Sequence, residues 1–68
     1  MPVSVIIGCN QQVVESGKTV FEVLNQFKVN PLTVAVQLNS KMLKNDFYPS
    51  TVLKDGDILE CLVYCAGG

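Results

Sequence analysis

The chain has 68 residues, 49% hydrophobic and 16% charged, with five basic residues, six acids, no histidine and a formal net charge of -1. That length makes one small domain, burying only roughly 60% of the surface its extended chain exposes; the apolar fraction still favours a packed globule over a disordered chain. The near-neutral balance offers no electrostatic footprint for nucleic acid or an anionic membrane surface, and no apolar stretch approaches the roughly 20 residues of a spanning helix.

No basic segment followed by a signal-type apolar run opens the chain, so the expected location is cytoplasmic. Cys9, Cys61 and Cys65 are an odd number outside a secretory setting, which argues against a disulfide framework. The missing histidine removes the commonest general base and the commonest metal ligand, and there is no Cys-x-x-Cys pair to build a zinc site. The composition therefore points away from a self-contained enzyme and away from a bound metal or cofactor.

In chain order, Val3 to Ile7 is apolar and largely β-branched, as in a strand buried on one or both faces. Gly8-Cys9-Asn10 reads as a turn, and Gln11 to Glu15 as the returning strand of a hairpin, less apolar and so nearer a sheet edge. Thr19-Val20-Phe21-Glu22 fits a capping box and starts a helix at Val20. Val20, Val23, Leu24 and Phe27 then fall on one stripe facing a sheet, Phe21 lies off its centre, and Asn30-Pro31 ends the helix. Thr33 to Leu38 is a third strand, Asn39-Ser40 a tight turn, and Lys41 to Leu43 a short fourth strand. Lys44 to Thr51 is polar with Phe47, Tyr48 and Pro49 inserted, and Leu53 precedes the Asp55-Gly56-Asp57 turn that launches a last apolar strand from Ile58 to Cys65. One helix crossing one mixed sheet of four to five strands, with the first and last strands parallel neighbours, is an α+β β-grasp roll.

Ala66-Gly67-Gly68 follows that strand. Without Cβ atoms the two glycines can extend into a channel too narrow for bulkier residues. A carboxylate at Gly68 is ionised at neutral pH and is a poor electrophile until activated, for example by adenylation. The alternative is an ordinary frayed end.

Val34-Ala35-Val36-x-x-Asn39, Leu53-x-Asp55-Gly56-Asp57-x-Leu59-Glu60, Gly17-x-Thr19-Val20 and the closing Gly67-Gly68 together resemble the ThiS/MoaD sulfur carriers, relatives of ubiquitin, over the whole chain. The short length and compact loop look more like the thiamin-pathway branch. The departures are Gly8-Cys9-Asn10 and Asn39-Ser40 where Asn-Gly turns are usual, Tyr48 where Trp is frequent, and Ala66 in place of a third glycine. The resemblance implies a single domain, 1-68, that is a carrier and not an enzyme. A ThiF/MoeB-like adenylating enzyme would use ATP to form the Gly68 acyl-adenylate, a sulfur donor would convert it to a thiocarboxylate, and a thiazole synthase or equivalent acceptor would take the sulfur. Gly67 and Ala66 would form the narrow tail.

Strand alternation puts Ile58, Glu60, Leu62 and Tyr64 on one face of the last strand and Leu59, Cys61, Val63 and Cys65 on the other, the second set packing on the helix. Leu62 and Tyr64, edged by Glu60, form a candidate docking surface, unless a loop covers them as minor core. Cys61 and Cys65, roughly 13 Å apart along one strand, cannot pair. Cys9 and Cys65 would lie at one end of the sheet, close but not bonded. Asp55 and Asp57 around Gly56 read as turn chemistry in preference to a metal site. Three functions stay open: the sulfur carrier, serving thiazole formation or instead molybdopterin synthesis or another sulfur route; a ubiquitin-like modifier joined to target lysines through Gly68; and a binding module of the TGS type in which the terminus is incidental.

Overall fold

A computed structural model describes residues 2–63, with the side chain of residue 63 not included. The elements are β1 (Val3–Ile7), β2 (Asn10–Val14), α1 (Val20–Gln26), β3 (Val34–Leu38), β4 (Lys41–Leu43), a 3-10 turn at Asn45–Phe47, and β5 (Ile58–Val63). They form a five-stranded sheet in the order β2-β1-β5-β3-β4. The last strand in sequence is thus the middle strand in space, parallel to β1 and antiparallel to β3. This is the expected β-grasp arrangement, with the polar second strand at one edge and the short β4 at the other.

Alternation decides which side of the sheet meets the helix. Val3 and Val5 of β1, Val36 of β3 and Leu59 and Cys61 of β5 are buried with Val20, Val23 and Leu24 of α1. Tyr48 and Leu53, from the segment between β4 and β5, complete this core, and the Tyr48 hydroxyl donates to the Val34 carbonyl at 3.5 Å.

The helix starts where the capping box places it. Glu22 N–H donates to Thr19 Oγ1 at 3.1 Å, and Thr19 N–H donates to Glu22 Oε1 at 2.9 Å, which holds the Glu22 carboxyl below its usual range. The next amides are taken by the long loop: Val20 N–H donates to the Thr51 carbonyl at 2.9 Å and Phe21 N–H to that of Tyr48 at 3.1 Å. The first-turn donors that would otherwise lack partners are therefore satisfied internally.

The helix stops earlier than Asn30-Pro31 predicts. After Gln26 the chain turns through Lys28 at φ 58°, Lys28 N–H donates to the Asn25 carbonyl, and Val29 N–H donates to that of Leu24 at 2.8 Å. These two bonds make a Schellman closure with lysine in the left-handed position usually held by glycine, and Val29 tucks into the core behind it. Three strand limits also shift slightly. β2 ends at Val14, one residue before the expected Glu15. Asn10 opens β2 instead of closing the turn, and β3 begins at Val34 because Thr33 N–H is engaged by the Asn30 carbonyl.

Candidate functional site

The residues singled out for activation, Gly68, Gly67 and Ala66, and the docking candidate Tyr64, lie outside the described residues, as does Cys65 and with it the expected approach to Cys9. What the structure describes is the strand that leads to them and how it is held.

β5 is gripped at its start by a network joining two turns. At Gly56, φ is 87°, a conformation open to glycine and strained for other residues, and Asp57 N–H donates to the Lys54 carbonyl across the turn. Asp57 Oδ2 accepts from Lys54 N–H at 2.9 Å, and Asp57 Oδ1 accepts from Asn39 Nδ2 at 3.0 Å. Asn39 in turn receives Ile58 N–H on its Oδ1 at 2.9 Å and donates its own N–H to the Ile58 carbonyl at 2.8 Å. The Asn39 hydrogen bond, followed by that from Lys54, holds the Asp57 carboxyl below its ordinary value of 3.8. Asp55 is also lowered, chiefly by Ser16. Asp57 thus does the turn chemistry expected of it, and among the described residues no group of His, Cys, Asp and Glu is placed to hold a metal ion.

Asn39 reaches across because its own turn is tight. Asn39 and Ser40 have φ of 52° and 71°, the paired positive values of a two-residue hairpin turn of the primed kind. At the far end, Gly8 N–H donates to the Cys61 carbonyl at 3.1 Å, so the β1–β2 turn carrying exposed Cys9 sits beside the point where β5 runs on toward residue 64. Cys61 itself is buried, and burial pushes its thiol up to about 11, the behaviour of a small core hydrophobe and not of a nucleophile.

The face of the sheet away from the helix is uncovered by any other described element. Leu62 is 53% exposed and Ile58 44%, with Glu60 half-buried between them. The pairing register places Gln11, Ile6, Glu60, Gln37 and Met42 in one row across all five strands. Glu60 therefore stands at the centre of this surface, where the sequence reading put it at the edge; the reason is that β5 is the middle strand. Ile6 and Met42 were not singled out from the sequence, since the register that brings them beside Glu60 is set by pairings distant along the chain. The polar hollow lined by Pro2, Glu15, Ser16 and Asp55 lies at the opposite end of β1 and β5 from residue 63. It has no part in this surface.

A five-stranded mixed sheet packed on one helix, with the last strand in its middle, defines a protein of the ubiquitin-like class. Residues 5–68 match the model of the ThiS family, and the chain belongs to that family. It is similar to the crystal structure of the thiamine biosynthesis protein ThiS from Geobacter metallireducens, with 29% identity, a TM-score of 0.71, and coverage of 96% of this chain and 99% of that one. The solution structure of a thiamine biosynthesis protein from the same organism matches with a TM-score of 0.70, 29% identity and coverage of 96% and 87%. A ubiquitin-like protein from Trypanosoma brucei shares the fold, at 22% identity and a TM-score of 0.55 over 96% of this chain and 95% of that one. No match to a curated protein sequence was found.

Proposed function

We propose that this protein is a sulfur carrier for thiazole formation in thiamin biosynthesis, working in the cytoplasm as a cosubstrate and not as an enzyme. The observation that carries the reading is the ThiS family match, which runs through Gly67-Gly68, on a fold whose central strand leads to those residues. Similarity to the Geobacter ThiS structures supports the pathway.

The chemistry follows from the weakness of a carboxylate as an electrophile. A ThiF/MoeB-like adenylating enzyme joins the Gly68 carboxylate to the α-phosphorus of ATP, and pyrophosphate leaves. A sulfur nucleophile of hydrosulfide oxidation level, delivered by the sulfur donor, then attacks the acyl carbon and AMP leaves, so one oxygen of the carboxylate is replaced by sulfur. The resulting thiocarboxylate is a soft nucleophile, which a thiazole synthase or equivalent acceptor consumes. Gly67 and Ala66 give the tail its narrow section, and Leu62, Tyr64 and Glu60 belong to the face that docks on the adenylating enzyme.

The test is intact-mass spectrometry of the full chain after incubation with ATP, the adenylating enzyme and a sulfide source. The expected product has exchanged one oxygen for one sulfur, and removal of Gly68 abolishes the exchange. An unchanged mass under conditions where the same enzyme converts another ThiS protein defeats the reading.

A further inference from the structure

The open sheet face has a feature that exposed apolar area alone does not explain. Glu60 is flanked along β5 by Ile58 and Leu62, two residues to either side, and across the sheet by Ile6 on β1 and Gln37 on β3. Gln37 leans the other way, its Nε2 donating to Met42 Sδ at 3.6 Å. Among the described residues, none donates a hydrogen bond or offers a cation to the Glu60 carboxylate. The face thus places one uncompensated negative charge in the middle of the sheet, with apolar side chains on three sides.

A carboxylate in that position is compatible with water and hostile to a purely apolar partner. Covering it without a countercharge carries a desolvation penalty that the surrounding aliphatic groups do not offset. A partner that supplies a cation converts the same group into an orienting contact, because opposite charge at the centre fixes register while unpaired charge rejects other surfaces.

We propose that Glu60 is the specificity determinant of the docking face, and that the adenylating enzyme meets it with an arginine or lysine set among apolar side chains that cover Ile6, Ile58 and Leu62. This rests on the sulfur-carrier reading for the identity of the partner. Arginine suits the site best, since its planar fork can engage both carboxylate oxygens and its weak hydration lowers the cost of burial.

Binding of the full chain to the adenylating enzyme without ATP, and conversion to the thiocarboxylate with ATP and sulfide, are measured for the parent chain, E60Q and E60K. Neutralisation weakens binding by about tenfold and reversal by about a hundredfold, since one partner of a desolvated pair is left unmatched or opposed. Urea midpoints near that of the parent chain show that the variants fold. The parent complex weakens as salt rises, and the E60Q complex does so less. The same reversal at Asp46, exposed in the 3-10 turn away from the sheet, leaves binding unchanged and excludes a mere net-charge effect. If E60Q and E60K bind and convert like a parent chain that is itself converted, the Glu60 proposal falls and the carrier reading stands. If the parent chain is neither bound nor converted, the carrier reading falls and this proposal with it. Pairing of two copies through this face, seen as a doubled mass in sedimentation, also overturns it.

Discussion

The two faces of β5 are built from adjacent residues and do opposite work. Leu59 and Cys61 point into the helix layer and are fully enclosed, whereas Ile58, Glu60 and Leu62 point the other way into an uncovered surface. A period of two residues thus separates what holds the domain together from what it leaves uncovered. Stability should accordingly respond to one set of positions, and partner recognition to the other.

The sharpest way to break this contrast is Leu59→Ala. Leu59 is 0% exposed, and truncating a leucine in such a site costs about 2 to 5 kcal/mol. A domain of this size has a total stability of only about 5 kcal/mol, so the variant should be largely unfolded or shifted to a far lower urea midpoint. A midpoint close to that of the parent chain would show that β5 does not anchor the core.

Next in size is Asp57→Ala. The carboxylate ties the β5-launching turn to Asn39, and losing these exposed, charge-assisted hydrogen bonds costs about 1 kcal/mol. The pH dependence has a fixed sign. Because the folded pKa lies below the ordinary 3.8, the contribution is complete above that value and is lost as pH falls through the folded pKa. Urea unfolding at neutral pH and near pH 3 should therefore show a steeper acid loss for the parent chain than for Asp57→Ala. Parallel pH profiles would mean that the tie to Asn39 does not persist in solution.

Local chemistry explains which parts of this structure are legible in the sequence. The capping box fixes the helix start at Val20, since each of its two hydrogen bonds spans three residues and needs no tertiary information. Alternation alone sorts Leu59 and Cys61 from Ile58 and Leu62. The helix end is misread because the closing residue, Lys28, carries no sign of a left-handed turn, and the nearest recognised stop is Pro31. The burial of Tyr48 is hidden in a polar stretch, and the Asn39–Asp57 tie links residues 18 apart. The open face is half legible: Leu62 and Glu60 follow from their own strand, while Ile6, Gln37 and Met42 require the register of neighbours that only the folded sheet supplies. The tail residues themselves are read from sequence and family alone.

Lys28→Gly is a smaller change that acts on the buried side without touching a core side chain. Relief of the positive φ outweighs the extra freedom that glycine gives the unfolded chain, for a net gain of about 0.5 to 1 kcal/mol. A higher urea midpoint checks this, and partner binding should stay as it was, because Lys28 lies beyond the helix and off the open face. Weaker binding would show that the partner reaches around to the helix side.

The smallest stability effect is expected on the open face itself. Leu62→Ser removes an apolar side chain that is already 53% exposed, so the transfer free energy lost is slight and the unfolding free energy should fall by less than about 0.5 kcal/mol, read as a small shift of the urea midpoint. Association with the adenylating enzyme should still weaken, because the proposed complex covers that side chain, and the effect should be smaller than that of E60K, which adds repulsion to lost contact. A large fall in stability would mean that Leu62 is packed under the chain beyond residue 63. The open face would then be part of the core, and the division of labour between the two sides of β5 would not hold at this position.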